Sequence, residues 1–587
     1  MAAATSLLKT LDKLRVFYDG ARKTPPKDLP RDFVRRSWKS AIFEGDKMDF
    51  RAYELCVFVE LRDRLRAGDV WVRGSRQYRA VDDQLLPTKV FEVMSAAGPL
   101  PVAIPQAAGD FLEQRKALLR QRLREVEAKA GDGLLEDVRV SAAGLKITPL
   151  TAVTPEAAEQ LGARLYALLP RVKITELLEE VDQWTEFSAD FTHLRSGILP
   201  EDRRVLLTAI LADATNLGFT RMADACSVVT YKQLVWAGAW YIREDTHARA
   251  LEKLVRQQHC HPLAALFGDG SSSSSDGQHF PLGGRAEVTG SINPHKGSEP
   301  AISIYTHLSS RFAPYSAKTI SATEGEAPYV LDGLINAGAD LGVTTHHTDG
   351  GGVSDHVFGL CAILGFRFAP RIPNLNDRRL YTFDPAAHSG ALEPFVGGRL
   401  DEGLISAYWG EILRLATSIR TGHVSASLML KRLGSYPRQN GLALALREVG
   451  RIERTLFTLD WLDDPTLRRK TGIELNKGES RNALARSVCF HRLGRFRDRT
   501  YEGRQYRADS LNLVVAAIIL WNTVYLGRAV QALRDAGDVV DDDLLAHIAP
   551  LGWQHINLTG DYLWSEMRGN PSAWRALRQK IDLLEAA

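Results

Sequence analysis

Cysteine is scarce in this chain, with five residues among 587 and none in a CxxC pair. An odd, scattered set of thiols in a large protein argues against a disulfide framework and predicts reduced cysteines in a cytosolic setting. The N-terminal stretch MAAATSLLKTLDK lacks the basic region and apolar run of a signal peptide. We therefore expect a chain that folds in the cytoplasm.

Long apolar runs are also missing. The most apolar segment, LNLVVAAIILWNTVYLG at 511–527, is broken by Asn512, Asn522 and Thr523. It is shorter than the ~20 apolar residues that a membrane span needs, so it predicts a buried core helix and no membrane contact. No GxxxxGK[ST] loop is present, and ATP use is not indicated.

Positive and negative charges are nearly balanced: 74 Lys and Arg residues stand against 71 Asp and Glu residues, which gives a net charge of +3. The total therefore predicts no general preference for polyanions, and any nucleic-acid surface must come from local clustering. The length and the 45% hydrophobic content suffice for several domains with real cores.

Helical periodicity dominates the first ~265 residues, apart from a short hairpin pattern from Val138. The pattern then changes to alternating strands such as AISIYTHLS and YSAKTISA, interleaved with the helices EGEAPYVLDGLINAG and SDHVFGLCAILG. We predict a mixed α/β sheet followed by helices at 400–470, which we interpret as an insertion. The predicted regions are a scaffold and dimerisation region at 1–195, a helical linker domain at 196–265, the first part of the core at 266–385, a helical insertion at 386–472, the last core helices at 473–535 and a C-terminal helical domain at 536–587.

The stretch FGDGSSSSSDGQHF at 267–280 has the composition of a linker, yet it stands directly before the first predicted strand. Three carboxylates of the α/β region are placed where such folds build sites: Asp276 at the entry to this strand, Asp349 at the end of VTTHHTD, and Glu479 after Gly478 at a predicted helix start. Three carboxylates together suit a divalent metal, because hard oxygen ligands bind Mg²⁺.

Neighbouring acids fit other roles better. Asp355 follows Ser354 at a helix start, where an acid complements the helix dipole. Glu474 is rotated roughly 140° from Glu479 on a helix, so the two would not face one metal. Asp269 is typical of a turn with the sequence GDG; the alternative is that it supports the residues that bind the metal.

Several long segments resemble one known family. GDGSSSSSDGQHF, HTDGGGVSDHVFGL and LNKGESRNALARSVCFHRLGRFRDRTYEGRQYRADSLNLVVAAIILWNTVYLGRA are similar to the catalytic region of the Tn3 family of replicative transposases. LTAILADATNLGFTRMADAC and PLGWQHINLTGDYLW extend the resemblance over nearly the whole chain. The resemblance implies a ribonuclease-H-like core with a mixed five-stranded sheet and a large all-α insertion, embedded in mainly α-helical scaffold and C-terminal domains.

The same resemblance implies a DDE triad, which falls on Asp276, Asp349 and Glu479. It further implies two Mg²⁺ ions, with Mn²⁺ as a substitute, transposon-end and target DNA as partners, a homodimer, and a nucleoid-associated bacterial protein. Asp269, His347 and Lys477 are candidate supporting positions behind the metals. Full members carry N-terminal DNA-binding domains that we expect this chain to lack, with weak or absent recognition of the transposon ends.

Arginines cluster around the predicted triad, where guanidinium groups would pair with phosphates. A solvated protein surface is the alternative. The candidates for DNA contact are Arg367, Arg371, Arg486, Arg492, Arg495, Arg497, Arg499, Arg504 and Arg507.

Two functions remain open at this point. The chain is either an enzyme that nicks the 3′ ends of the element and transfers them into target DNA, or a catalytically silent fragment that regulates a full-length transposase.

Overall fold

The computed structural model describes residues 2–564 and 574–578, apart from short gaps at 21–23, 27, 46, 69, 76–77, 142–143, 149–153, 284–290, 295–296, 339–340, 373–374, 376–377, 386–389, 436–440 and 499. Two compact units divide the chain. One comprises Met1–Asp132, Ser354–Gly365 and Arg378–Leu459. The other comprises Gly133–Val353, Phe366–Asp377 and Asp460–Ala587, and we call it the sheet unit.

The first unit is mainly helical, as the periodicity predicts. Its helices are Ala2–Asp19, Arg36–Ile42, Phe50–Ala67, Thr88–Ala97, Ala108–Gly131, Asp355–Leu364, Glu402–Ala407, Trp409–Arg420, Ala426–Ser435 and Gly441–Asp463, the last of which runs on into the sheet unit. Phe43–Glu44 pairs with Lys47–Met48, and Leu380–Thr382 pairs in parallel with Val396–Arg399. The strand at Val396–Arg399 lies within the region predicted as an all-α insertion, so that region is not purely helical.

Close backbone packing joins two helices of this unit. A Cβ at Gly450 would collide with the main chain of Asp355, so glycine is required there for the helices Gly441–Asp463 and Asp355–Leu364 to touch. Asp355 also forms an ion pair of 2.9 Å with Arg454. Its role is therefore structural, in addition to the helix-start position that the sequence predicts.

A mixed sheet of six strands forms the centre of the sheet unit. The strands are β1 Ser272–Pro281, β2 Ser291–Ile292, β3 Pro300–Ser309, β4 Pro314–Ser321, β5 Thr345–Thr348 and β6 Arg367–Phe368. Their order is β6-β5-β1-β3-β4, and the short β2 pairs with the start of β3. β1, β3 and β4 are antiparallel neighbours, whereas β5 runs parallel to β1 and β6 runs parallel to β5.

The same unit contains helices as well as the sheet. They are Glu156–Leu168, Ile174–Thr185, Arg203–Ala214, Phe219–Ala225, Tyr231–Trp240, Glu244–Cys260, Pro262–Phe267, Val330–Gly333, Pro465–Val488, Tyr501–Asp535 and Asp542–Leu545. Of these, Glu244–Cys260, Val330–Gly333, Pro465–Val488 and Tyr501–Asp535 contact the sheet. Two further strand pairs lie outside the sheet, Val138–Ser141 with Gly144–Ile147 and Val172–Lys173 with Ile556–Asn557. The hairpin predicted from Val138 is thereby confirmed.

The helix Tyr501–Asp535 is long and apolar enough to cross a membrane, but 83% of its apolar window is buried inside the protein. It packs against β4 and against the helices Arg203–Ala214 and Glu244–Cys260. Trp521 and Tyr525 are fully buried on it. The segment at 511–527 is therefore a core helix, as predicted.

Candidate active site

The serine run is part of β1 and not a linker. Ser272 to Ser275 are at most 2% exposed and occupy the first four positions of this strand. Asp276 follows in the strand interior, so the prediction that Asp276 marks the strand entry was wrong by four residues. The hydroxyls of Ser273 and Ser275 find partners inside the core, which replaces the hydrogen bonds that burial takes from water, whereas no partner is found for the buried hydroxyls of Ser272 and Ser274 among the described residues.

His346 of β5 supplies two of those partners. Its Nδ1 lies 2.7 Å from Ser273 Oγ, and its Nε2 lies 2.7 Å from Ser275 Oγ. Tyr305 and Tyr315 add hydroxyl contacts of 2.5 Å to Ser275 and 3.1 Å to Ser273. Complete burial lowers the pKa of His346 well below its usual value, so the ring is neutral, donates its single N–H to one of the two serines and accepts from the hydroxyl of the other.

Asp276 and Asp349 are brought to the same end of the β1–β5 pairing. Ser275 stands opposite Thr348 in the register, and each of these two residues is followed directly by one of the aspartates. Asp349 lies just beyond β5 and accepts a hydrogen bond of 2.8 Å from the Gly351 amide. The predicted position of Asp349 at a strand end is confirmed.

A second element holds the carboxylate of Asp276. Oδ2 accepts a hydrogen bond of 2.8 Å from Asn482 Nδ2, and Oδ1 accepts one of 2.8 Å from the Gly277 amide. The fully buried Arg481 donates to Asn482 Oδ1 at 3.2 Å and to Asn512 Oδ1 at 2.6 Å. Burial lowers the pKa of Arg481 to about 10, although the nearby charge of Asp276 opposes this shift.

Glu479 lies in the interior of the helix Pro465–Val488 and does not open a helix as predicted. The helix begins earlier because Asp464 caps it and Pro465 occupies its first position. The neighbouring Gly478 lies against β1, since a Cβ there would be 3.8 Å from both Asp276 Cβ and Ser274 Oγ. Glu479 itself is exposed one residue further along.

Sequence reasoning missed a further carboxylate, Glu326, at the end of the loop after β4. A Cβ at Gly277 would collide with the Glu326 carboxylate. A Cβ at Gly351 would lie 3.6 Å from Glu326 Oε2 and 3.1 Å from Asp349 Oδ1. The sequence places Glu326 only near the start of the predicted helix EGEAPYVLDGLINAG, because it does not show that this loop folds back over β1.

The buried hydroxyl of Tyr305 experiences the charges of these same acids. Burial raises its pKa well above the usual value, and the charges of Glu326, Asp349 and Asp276 raise it further. All three acids therefore lie near enough to this phenol to affect its ionisation.

The donor chemistry fits a divalent cation. Carboxylate oxygens are preferred Mg²⁺ ligands, and the glycines at 351 and 478 place no side chain against Asp349 and Asp276. No three His, Cys, Asp or Glu side chains within the described ranges are grouped closely enough to be recognised as a metal cluster.

The candidate supporting residues have structural contacts. Lys477 Nζ donates to the carbonyls of Phe267 at 2.9 Å and Ser310 at 2.8 Å. His347 is buried between the Ala369 carbonyl and Thr471 Oγ1, and burial lowers its pKa to about 4. Asp269 Oδ1 accepts from the Ser271 amide at 2.8 Å, as expected of a turn residue.

The predicted DNA-contacting arginines divide into two groups. Arg504 and Arg507 are 3% and 7% exposed, and Arg507 pairs with Asp498 and Asp213. Arg492 donates to the Leu217 carbonyl, whereas Arg495 and Arg367 form ion pairs with Glu299 and Asp460. Arg367 and Arg495 are exposed although they are paired, exposed side chains are also found at Arg371, Arg486 and Arg497, and Arg499 lies outside the described residues.

The mixed sheet, with Asp276 on β1 and Asp349 directly after the adjacent parallel strand β5, is the arrangement of a ribonuclease-H-like protein. The family model described as "Tn3 transposase DDE domain" matches residues 176–562. The chain therefore belongs to the Tn3 transposase DDE domain family, which confirms the resemblance noted in the sequence.

Relatives match along nearly the whole chain. The transposase for transposon Tn3926 of Escherichia coli is 51% identical over 98% of this chain and 58% of its own length. The transposase for transposon Tn501 of Pseudomonas aeruginosa is 50% identical over 96% of this chain and 57% of its own length. The transposase for transposon gamma-delta of Escherichia coli strain K12 is 31% identical over 93% of this chain and 55% of its own length. The chain thus spans less than three fifths of these relatives.

Proposed function

We propose that this chain is the catalytic part of a DNA transposase that nicks the 3′ ends of a transposon and transfers them into target DNA. The observation that carries the proposal is the adjacency of Asp276 and Asp349 at the end of the β1–β5 pairing, in a chain of the Tn3 transposase DDE domain family. Glu479 completes the proposed triad from the helix Pro465–Val488.

The proposed metal ligands are Asp276, Asp349 and Glu479, which would hold two Mg²⁺ ions, or Mn²⁺ in their place. Divalent ions bound there would activate a water or a 3′-hydroxyl and stabilise the leaving oxygen of the phosphodiester. Asn482 and the Gly277 amide orient Asp276, while the Gly351 amide orients Asp349. These contacts fix the carboxylates before substrate arrives, which lowers the cost of assembling the site.

DNA is the proposed substrate, and the predicted arginines that are exposed to contact it are Arg367, Arg371, Arg486, Arg495 and Arg497. Transesterification conserves the number of phosphodiester bonds, so no ATP is required. We further propose a homodimer acting in the bacterial cytoplasm at the nucleoid. The observed sheet has six strands where five were expected, because the short β2 pairs with the start of β3. The insertion at 386–472 and the other domain boundaries given above stay predictions.

Strand transfer from a pre-cleaved transposon end tests the proposal, because this substrate bypasses the first nick. The wild-type chain, Asp276→Asn and the surface control Asp538→Asn are compared with Mg²⁺ and with Mn²⁺. We expect products from the wild type and from Asp538→Asn, and none from Asp276→Asn. Equal activity of wild type and Asp276→Asn would refute the assignment.

A further inference from the structure

A chain of buried hydrogen bonds leads to Asp276 from the helix Tyr501–Asp535. Asn512 of that helix accepts from Arg481 Nη2 at 2.6 Å through its Oδ1. Arg481 Nη1 donates to Asn482 Oδ1 at 3.2 Å, and Asn482 Nδ2 donates to Asp276 Oδ2 at 2.8 Å. Arg481, Asn482 and Asn512 are 2%, 6% and 1% exposed, so bulk water does not compete for these bonds. We call these three side chains the buried relay.

The orientation of the Asn482 amide is fixed from both of its sides. A guanidinium group can only donate hydrogen bonds, and an ionised carboxylate can only accept them. Asn482 therefore turns its oxygen to Arg481 and its nitrogen to Asp276. The reversed amide would place Oδ1 against the carboxylate and Nδ2 against the guanidinium, which are two unfavourable contacts. Arg481 thus determines which group of Asn482 faces Asp276.

Asn512 holds Arg481 in a similar way. Its Oδ1 faces the guanidinium, and its Nδ2 donates at 3.1 Å to the carbonyl of Pro314, the first residue of β4. The carbonyl can only accept, so this amide also has one favourable orientation. β4 pairs with β3, and β3 pairs with β1. The buried relay therefore starts and ends on the same sheet, two strands apart.

Packing alone does not account for an arginine at position 481. Removing a guanidinium from water costs free energy, and an apolar side chain of similar volume often replaces a buried charge without loss of stability. Arg481 Nε has no hydrogen-bond partner among the described residues, so its burial is only partly compensated. The arginine supplies a planar group whose two terminal nitrogens reach two amide oxygens at once.

We propose that Arg481 and Asn512 are positioning residues for strand transfer, acting through Asn482 to hold the Asp276 carboxylate in one orientation. This inference rests on the proposed function, because Asp276 is the residue that the buried relay serves. Both residues are buried too deeply to touch DNA. Their loss should leave the carboxylate in place but less well oriented, which slows the chemical step without weakening DNA binding.

A double-variant cycle tests whether Asn512 acts through Asn482. Single-turnover strand transfer from a pre-cleaved transposon end is measured over a range of DNA concentrations for Asn512→Ala, Asn482→Ala and the double variant of the full chain. We expect Asn512→Ala to lower the maximal rate by roughly 5–10-fold and to leave the half-saturating DNA concentration within about twofold of wild type. In the Asn482→Ala background the same change should slow the reaction by less than about twofold, because the buried relay is already broken.

Asn522→Ala is the matched control for the loss of a buried amide. Asn522 lies on the same helix, is fully buried and donates to the carbonyls of Pro550 and Gly552 at 3.0 and 2.8 Å. Both alanine variants should lower the thermal unfolding midpoint, because each leaves buried partners without a hydrogen bond. Only Asn512→Ala should slow strand transfer at a temperature where every variant is folded. Equal slowing by Asn522→Ala would overturn the positioning role.

Arg481→Lys provides a second test that does not depend on the stability of Asn512→Ala. Lysine keeps the charge and can still donate to an amide oxygen, so Arg481→Lys should transfer strands faster than Arg481→Met, with wild-type DNA affinity in both. Combined with Asn482→Ala, Arg481→Lys should stay within about twofold of the rate of Asn482→Ala alone. Effects that multiply in either cycle, or equal rates of the lysine and methionine variants, would overturn the proposal.

Asp276→Asn separates this inference from the proposed function. No product from Asp276→Asn, together with multiplying effects of Asn512→Ala and Asn482→Ala, would overturn the positioning role alone. Wild-type strand transfer by Asp276→Asn would overturn the proposed function and, with it, the role of the buried relay.

Discussion

Asn482 Nδ2 donates a hydrogen bond of 2.8 Å to Oδ2 of Asp276, joining the interior of the helix Pro465–Val488 to the first strand of the sheet. Because Arg481 donates in turn to Asn482 Oδ1, the orientation of the amide is fixed. The helix that carries Glu479 therefore also holds the first aspartate in place.

Replacing Asn482 by alanine removes this contact while leaving the Asp276 carboxylate present. A hydrogen bond to a charged group contributes about 1.5–3 kcal/mol, so we expect single-turnover strand transfer to slow by roughly 10–100-fold. DNA affinity should stay unchanged, because the amide faces Asp276. Asn557→Ala, which alters an exposed turn, serves as the control, and a wild-type rate for Asn482→Ala would contradict the positioning role.

Exposed and buried arginines should respond differently to alanine substitution. Arg486 and Arg497 are exposed, so their loss should weaken DNA binding and reduce the salt dependence by roughly 0.9 per lost phosphate contact. Fluorescence anisotropy over a range of salt concentrations measures both quantities. Unchanged affinity and slope in the double variant would favour a solvated surface.

Arg507→Ala should instead destabilise the fold, because Asp213 and Asp498 would lose a buried partner. Breaking such a pair typically costs about 3–5 kcal/mol. Burial already raises the pKa of Asp213 to about 6 against the opposing charge of Arg507. Urea unfolding at pH 7.5 checks this, with Arg497→Ala as the control that should retain wild-type stability.

Asp509 makes stability depend on pH. Burial raises its pKa from 3.8 to about 8, although a hydrogen bond from Gln505 opposes the shift. Between these values the folded state holds a proton that the unfolded state has lost, so the free energy of unfolding falls as pH rises, by at most about 1.4 kcal/mol per pH unit. The contribution is fully present below pH 3.8 and is lost as pH passes through about 8.

Asp509→Asn removes this titration, so its stability relative to wild type should increase steadily from pH 5 to pH 8. Chemical unfolding at several pH values measures the difference. Asp535→Asn, at an exposed position on the same helix, should follow the wild-type curve. Parallel curves for wild type and Asp509→Asn would show that Asp509 is ionised in the folded protein.

His346→Ala should destabilise the sheet, since Ser273 and Ser275 each lose a 2.7 Å partner inside the core. We expect a loss of about 2–4 kcal/mol from the unmade hydrogen bonds and the cavity. Thermal unfolding compares it with the exposed His423→Ala, which should match the wild type. An unchanged midpoint for His346→Ala would mean that the serines find other partners.

The sequence was sufficient to predict the strands that show clear apolar alternation. It was also sufficient to predict the position of Asp349 at a strand end, next to glycines. The burial of Ser272 to Ser275 was not foreseeable, because serine has no apolar signature and its partner His346 is more than 70 residues away in the chain. Glu479 was misplaced relative to its helix because Gly478 was interpreted as a boundary. The helix in fact continues through Gly478, whose missing side chain allows close approach to Asp276.

Side-chain contacts between different helices, strands and loops could not be predicted from the sequence. Asn482 is three residues from Glu479, a helical spacing that could have marked it, but its partner on β1 was not predictable from spacing alone. Glu326 gave only a helix-start signal, and its approach to Gly277 depends on how the loop after β4 folds. Arginine clustering could not distinguish the buried Arg507 from the exposed Arg497.

The most direct measurement of metal chemistry at this site uses a phosphorothioate at the scissile phosphate of a transposon end. Sulfur binds Mg²⁺ poorly and softer ions better, so metal contact with this phosphate makes the rate depend on the ion. We predict that the wild-type chain cleaves the sulfur-substituted DNA slowly with Mg²⁺ and that Mn²⁺ restores the rate, with no product from Asp276→Asn or Asp349→Asn. Equal sulfur effects with both ions, or cleavage by the aspartate variants, would contradict catalysis by metal held at Asp276 and Asp349.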